Sequence, residues 1–455
     1  MSKPHLVIIG NGMASGRLLE EVLRHDPEQY RISVFGEERY GNYNRIMLSP
    51  VLAGEMKPEE IMLNTIEWYR KNGITLFSGD PVVHIDAKQQ KVFSLKGLEI
   101  EYDKLVLATG SSPVIPPVAQ NTGLAGILSF RTLDDVEQIL SEASTAKHAV
   151  VLGGGLLGLE AAYGLLKYGI EVTVTHRGKW LLNRQLDETA GELLKQELES
   201  RGINVRLNCE VQEFCGEGSA DKNAACLDSS PNPKSKLQSV TLTDGSVLST
   251  ELAVIAIGIA PNKKLAQTSQ LDCARGIQVN DQMQSSHHNI YALGECTQFG
   301  EDTFGLVAPL WDQARVLADQ LNGSCDSRYQ VKANATKLKV SGIDLYSAGE
   351  FLDSKESDSL VFKDLNRGIY KKLIFRDQLL VGVVLYGAVQ DGNWYFELIQ
   401  QQQPVRHLSP DLIFGQRYTE QPQSETNFDI NTSEAVTGQF IPTAAVNSLA
   451  AGVSS

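Results

Sequence analysis

Hydrophobic and polar positions fall into one pattern twice along the chain. The stretch "HLVIIGNGMASGRLLEEVLRHDPEQYRISVFGEE" opens at His5 on an apolar run, passes through glycines, and continues with apolar residues at helical spacing before a second apolar run. "HAVVLGGGLLGLEAAYGLLKYGIEVTVTHR" repeats the pattern from His148. A continuous apolar run suits a strand of a parallel sheet buried on both faces, and a helical period suits a helix laid against it. Each stretch predicts a strand–turn–helix–strand unit, and two such units predict two nucleotide-binding folds.

Elsewhere the pattern changes. "YDKLVLATGSSP" reads as another buried strand, ending in small residues. "VTLTDGSVLSTELAVIAIG" reads as strands, with Asp244-Gly245 suiting a hairpin turn. "GEGSADKNAACLDSSPNPKSK" predicts a solvated loop. From about Ala333 the chain becomes strand-rich, in "KLKVSGIDLYSAG" and "YKKLIFRDQLLVGVVLYG", which predicts a separate α+β module. Beyond Tyr418 the residues are rich in Gln, Ser, Thr and Asn, and a disordered tail is expected.

Composition narrows the class. At 455 residues about three domains are expected, and 42% hydrophobic residues suffice for sizeable cores. The net charge of −14 argues against a nucleic-acid or anionic-membrane surface, since both need basic patches. No apolar run reaches membrane-spanning length, and the amino terminus enters a strand with no room for a signal peptide, so a cytoplasmic protein is expected. None of the six cysteines lies in a C-x-x-C, so neither a zinc ribbon nor a local redox disulfide is signalled.

The chemistry sits in the turns. In Gly10-Asn11-Gly12-Met13-Ala14-Ser15, Gly10 suits a tight turn and Gly12 lets backbone approach a pyrophosphate. The helix that follows, through Ala14 and Ser15, offers free N–H groups and a favourable dipole. Ser15 stands where a third glycine is usual. Glu37, with Glu38 as the alternative, follows the second strand and suits bonds from a ribose. A chance glycine turn is the bland alternative, opposed by the placement at the amino terminus and by the acid. Gly153, Gly155, Leu156, Leu157 and Gly158 form the cleaner copy. Its second strand ends "VTVTHRGK", without the acid that selects an unphosphorylated ribose. His176, Arg177 and Lys179 are candidates for a 2′-phosphate, or are plain solvated charges. Nicotinamide dinucleotide binding is predicted without a choice between NADH and NADPH.

"SHHNIYALGEC", residues 286–296, gathers residue types that ligate metals. His287 and His288 are adjacent, so on extended backbone they would point to opposite faces, and Glu295 and Cys296 diverge likewise. No metal site is expected.

The two glycine turns, "LVLATGSSP" and "IYALGEC", in this order resemble the two-dinucleotide flavoprotein reductases of the glutathione-reductase superfamily. The resemblance implies an α/β chain with two Rossmann-like domains, the first holding FAD, and an inserted second one holding NADH or NADPH. Residues 1–114 and 263–322 would form the discontinuous FAD-binding domain, 115–262 the NAD(P)-binding domain, 330–417 the small C-terminal α+β module, and 418–455 the tail. It places Thr109 and Gly110 beside FAD and gives the Gly294-Glu295 pair to the ribityl chain, Glu295 standing where Asp is usual. Cys296 would then be a packed neighbour, and His287 and His288 would lie at a surface turn. It aims the start of a helix near Leu310 at the flavin pyrimidine ring, with Trp311, Asp312 and Gln313 as lining candidates.

"YGNYNRIMLSPVLAGE", with the C-terminal "ATKLKVSGIDLYSAG" and "LLVGVVLYGAVQDGNWYFELI", is similar to the flavin part of assimilatory nitrite reductase large subunits. It also resembles the electron-transfer subunit of assimilatory nitrate reductase, and the likeness covers roughly residues 4–415. Arg45 would grip the FAD pyrophosphate. The loop from Asn42 to Arg45 lacks the redox cysteine of other branches, and Pro50 replaces a lysine of many relatives, so Glu160 must find another environment. No cysteine-rich iron–sulfur module follows, and nitrite reduction by this chain alone is not expected. No catalytic residue is expected, because hydride transfer to flavin mainly needs orientation. The implied function is an FAD-dependent NAD(P)H oxidoreductase feeding a separate iron–sulfur or heme acceptor, a nitrate or nitrite reductase component by resemblance. A rubredoxin or ferredoxin reductase, or an FAD-bound redox-sensing interaction protein without turnover, is the alternative.

Overall fold

The computed structural model describes residues 3–216, 235–324, 326–332, 335–340, 342–405 and 410–419, with backbone alone over 335–340. Most of the expected solvated loop, and the tail beyond Thr419, lie outside them.

A first parallel sheet runs in the order Ile290–Ala292, Lys104–Leu107, His5–Ile9, Arg31–Gly36, Thr75–Ser78. His5–Ile9 is buried at every position, as a strand covered on both faces must be. On one face Leu18, Leu19 and Val22 of the helix Met13–His25 pack with Leu310, Ala314 and Leu317 of the helix Val307–Leu321. A second parallel sheet has the same plan: Ile127–Ser129, Leu252–Ile255, His148–Leu152, Glu171–His176, Ile203–Leu207. In each sheet the strand that feeds a glycine turn is central. This is the two-Rossmann arrangement that the repeated pattern predicts.

The first sheet takes its last strand, Ile290–Ala292, from beyond the second sheet, so the second unit is an insertion. The chain crosses between the folds at Ser111–Pro113 and Ile259–Pro261, which pair antiparallel. Leu237–Leu242 and Val247–Ser249 form the expected hairpin, with Gly245 at φ +83° in its turn. Farther on, a five-stranded antiparallel sheet runs Ala335–Val340, Ile343–Gly349, Leu379–Tyr386, Ile369–Arg376, Asp358–Asp364. The helix Gly392–Gln401 covers one face through Tyr395 and Ile399. Its other face puts Tyr370, Val384 and Tyr386 into one core with Leu186, Leu194 and Leu198 of the second fold. Among the described residues no helix is long and apolar enough to cross a membrane.

Candidate dinucleotide-binding site

The first turn depends on one glycine for its conformation and on another for open space. Gly10 adopts φ +109°, and a Cβ there would fall 2.1 Å from the Ala108 carbonyl oxygen. Its N–H donates to the Phe35 carbonyl at 2.8 Å, which fixes the turn above the second strand. Gly12 caps the helix Met13–His25, and a Cβ on it would meet nothing within 4 Å, so open space faces the helix amino terminus. Ala14 packs under Gly294, whose added Cβ would stand 3.2 Å away, and Gly294 itself has φ +91°. Ser15 is fully buried, and its hydroxyl donates to the Gly10 carbonyl at 2.5 Å.

Below this turn the folds meet in a charged cluster. Glu38 accepts from the Tyr43 hydroxyl at 2.7 Å and pairs with Arg45, whose other nitrogen donates to the Arg131 carbonyl at 2.9 Å. Glu37 is exposed. Of the two acids, it is therefore Glu38 that reaches the cluster. Glu295 accepts from the Ser111 hydroxyl at 2.7 Å and pairs with Arg131, which also donates to Ser111 at 2.9 Å. Both members of the Arg131–Glu295 pair are mostly buried, so each neutralises a charge that would otherwise be costly. Thr109 donates to the Asn262 carbonyl at 2.7 Å, and Asn262 donates from its side chain to the Thr109 carbonyl at 2.9 Å and from its N–H to Gly110 at 2.9 Å. That knot ties the outgoing strand to the returning one. Arg131 and Asn262 were not singled out from the sequence. The acid-rich helix start "FRTLDD" was the available signal for Arg131.

The second turn repeats the first with tighter packing. Gly153 has φ +120°, and its Cβ would lie 2.3 Å from the Ala256 carbonyl oxygen. Its N–H donates to the Thr175 carbonyl at 2.8 Å, as Gly10 does to Phe35. Gly155 caps the helix Leu156–Leu166 and, like Gly12, opens onto free space. Leu156 and Leu157 begin that helix and pack partly buried against the second-fold core. A Cβ on Gly158 would stand 2.0 Å from the Gly153 carbonyl oxygen, so only glycine fits. At the end of the neighbouring strand, His176 Nδ1 accepts from the Gly154 N–H at 3.2 Å. An Nδ1 that accepts there places the proton of a neutral ring on Nε2, and burial lowers the imidazole's pKa. Arg177 and Lys179 are exposed.

Two expectations need correction. The helix expected near Leu310 begins at Val307, with Pro309 in its first turn, so Trp311, Asp312 and Gln313 lie a turn farther from its amino terminus. Gln313 is fully buried and accepts the Gly294 N–H at 2.7 Å, which holds the Gly294-Glu295 turn rather than lining open space. Asp312 pairs with Arg315 and with Lys332, and Trp311 carries the Arg17 guanidinium 6.0 Å from its ring centre. The second correction concerns the facing of His287 and His288: they lie at a surface turn, as the resemblance implies, and because the backbone turns there their rings stack 4.8 Å apart at 28° instead of diverging. Cys296 is fully buried, and burial raises its thiol above the ordinary range. Among the described residues no three His, Cys, Asp or Glu side chains come together as a metal site would need.

Residues 4–317 match the pyridine nucleotide-disulphide oxidoreductase family, and residues 335–403 match the rubredoxin NAD+ reductase C-terminal domain. The chain belongs to the pyridine nucleotide-disulphide oxidoreductase family. It is 38% identical over 436 residues to the assimilatory nitrate reductase electron transfer subunit of Bacillus subtilis (strain 168), covering 95% of this chain and 54% of that protein. A nitrite reductase (NAD(P)H) of the same organism is 39% identical over 409 residues, covering 90% of this chain and 49% of the relative. The chain thus spans about half the length of these curated relatives. The crystal structure of a covalent putidaredoxin reductase–putidaredoxin complex matches with a TM-score of 0.78 at 25% identity, covering 91% of this chain and 96% of that one.

Proposed function

We propose that the chain is an FAD-dependent NAD(P)H oxidoreductase that passes electrons to a separate redox protein in nitrate or nitrite assimilation. The carrying observation is the pair of like turns, each a positive-φ glycine followed by a glycine-capped helix start facing open space. Such a turn suits a pyrophosphate, and two of them suit two dinucleotides.

In this reading residues 1–114 and 263–322 form the FAD-binding domain, 115–262 the NAD(P)-binding domain, and 330–417 the C-terminal module. Gly10, Gly12, Ala14 and Ser15 take the FAD pyrophosphate, with Arg45 beside it. Glu38, rather than the exposed Glu37, accepts from the adenosine ribose. Thr109, Gly110, Gly294 and Glu295 bound the ribityl end, with Arg131 supporting the Glu295 carboxylate. Gly153, Gly155, Leu156, Leu157 and Gly158 take the NAD(P)H pyrophosphate. His176, held by the Gly154 N–H at the end of the neighbouring strand, stands beside the second ribose, and the exposed Arg177 is ready for a 2′-phosphate. FAD supplies two-electron acceptance from a nicotinamide and one-electron release to an acceptor. The protein's own part is to orient two rings, which needs no acid or nucleophile.

The acceptor is an iron–sulfur or heme protein. The two Bacillus subtilis relatives favour a nitrate or nitrite reductase component, and the match of the C-terminal segment favours a rubredoxin as the second choice. The cytoplasm, where pyridine nucleotides are abundant, is the compartment that fits. Purified protein should be yellow, bleach anaerobically with NADH or NADPH, and turn over with ferricyanide. Protein that stays colourless when supplied with FAD rejects the reading; yellow protein without turnover leaves a sensor. Arg177→Glu should weaken NADPH more than NADH, and equal weakening would remove Arg177 from the 2′-phosphate.

A further inference from the structure

The seam between the two folds holds a titratable carboxyl, bonded to a serine hydroxyl, that the dinucleotide sites do not use. Glu160 lies one turn into the helix Leu156–Leu166, and Ser49 lies in the short helix Leu48–Leu52, just past Arg45. These helices touch closely: a Cβ on Gly164 would stand 3.0 Å from Leu52 Cγ. Across the contact the Ser49 hydroxyl meets Glu160 Oε2 at 2.5 Å. Ser49 is buried and Glu160 partly so. Burial raises the Glu160 carboxyl's pKa above the ordinary range, and the hydrogen bond from Ser49 opposes that rise.

The choice of partner matters. A lysine or arginine would hold Glu160 ionised. A serine hydroxyl donates to the carboxylate, which it favours, and can still accept from the carboxylic acid, so neither form is left without a partner. Residue 50, the next position on that helix, is a proline. Among the described side chains, the other charged or titratable groups of the packed elements are engaged or lie at the periphery. Tyr163 and Lys167 follow on the same helix, with Lys167 3.8 Å from Glu55. Arg45 is paired with Glu38. On the strands beneath, His148 lies near Glu171 and Glu251, and His176 is held by Gly154.

We infer that Glu160 takes up a proton when the flavin is reduced, coupling electron arrival to protonation at the seam. This rests on the reading that the first fold carries FAD and the second NAD(P)H, because their rings must then meet between the folds. The balance is simple. NAD(P)H gives up a hydride, two electrons and one proton, and leaves as NAD(P)+. The reduced flavin gains one negative charge, and a second proton passes from solvent to the Glu160 carboxylate. Added negative charge nearby favours the protonated acid.

The test is the pH dependence of the flavin reduction potential in the full chain, with infrared difference spectra between the oxidised and reduced states. The wild type should show a carboxylic-acid band on reduction that Glu160→Gln lacks. Over the coupling window its potential should fall more steeply than the variant's, by one tenfold factor per pH unit, ~30 mV for a two-electron couple. Ser49→Ala removes the donor that favours the carboxylate and should move the window to higher pH. Equal slopes in wild type and Glu160→Gln overturn the proposal. So does a Ser49→Ala window that stays in place, or a wild type without a reduction-linked acid band, and these two decide if Glu160→Gln fails to fold. Wild-type protein that binds no flavin overturns the assignment of function instead.

Discussion

The third positions of the two glycine turns show how one atom sets what a residue must be. Gly158 faces the Gly153 carbonyl so closely that a methyl would overlap it at 2.0 Å. In the first turn the same place holds Ser15, whose hydroxyl turns the close approach into a 2.5 Å bond to Gly10. Gly158→Ala should therefore cost about 1–3 kcal/mol of stability, the usual range for overpacking, and weaken NADH binding while bound flavin stays. Ser15→Gly should lose about 1 kcal/mol, one hydrogen bond's worth. Denaturant midpoints and a nucleotide titration read both, and a Gly158→Ala protein as stable as wild type would contradict the contact. The usual glycine spacing was visible in the sequence; that serine serves as well at position 15 depends on a backbone separation no local pattern encodes.

At the scale of elements, the helix Val307–Leu321 acts on the Gly294-Glu295 turn through its flank. Gln313 accepts the Gly294 N–H at 2.7 Å and is fully buried, so it holds the turn that presents Glu295. Gln313→Leu strands that N–H in the interior, a loss of about 1–3 kcal/mol, whereas Gln313→Glu retains an acceptor. The leucine variant should lose flavin during gel filtration, read as the ratio of flavin to protein absorbance, and the glutamate variant should keep more. Equal retention in the two would remove Gln313 from the turn. The start of this helix was hard to read from sequence for a physical reason. Leu306 is its cap and offers no side-chain bond, and Pro309 sits in the first turn, where its missing N–H costs nothing. Nothing polar marks the boundary.

For the whole molecule, Asp187 is the polar joint, beside a shared apolar core, between the second fold and the C-terminal sheet. Its Oδ1 accepts the Ala190 N–H at 3.1 Å and so caps the helix Glu188–Ser200. Its Oδ2 takes the Tyr370 hydroxyl at 2.5 Å and lies 3.3 Å from Lys372, which is buried and also pairs with Asp353 at 2.9 Å. Removing one partner of a buried ion pair is expensive, about 3–5 kcal/mol, because the other charge stays behind. Asp187→Ala should loosen the joint before the folds themselves. Hydrogen exchange should quicken in Ile369–Arg376 and leave His5–Ile9 protected; uniform quickening would show that the joint is not local.

What the sequence determined by itself is local: strand, turn and helix in each of two repeats, the glycines at their turns, the Asp244-Gly245 hairpin, and the strand-rich end of the chain. Backbone sterics and the alternation of apolar positions act over a few residues, so a short window contains their cause. Only the tertiary structure decided which acid, Glu38 or Glu37, joins the charged cluster, that Arg131 reaches Glu295 across 164 positions, that Asn262 knots the crossing strands, and that Glu160 faces Ser49. Those contacts are made by the path of the chain, which brings together residues whose own neighbours carry no trace of the partner.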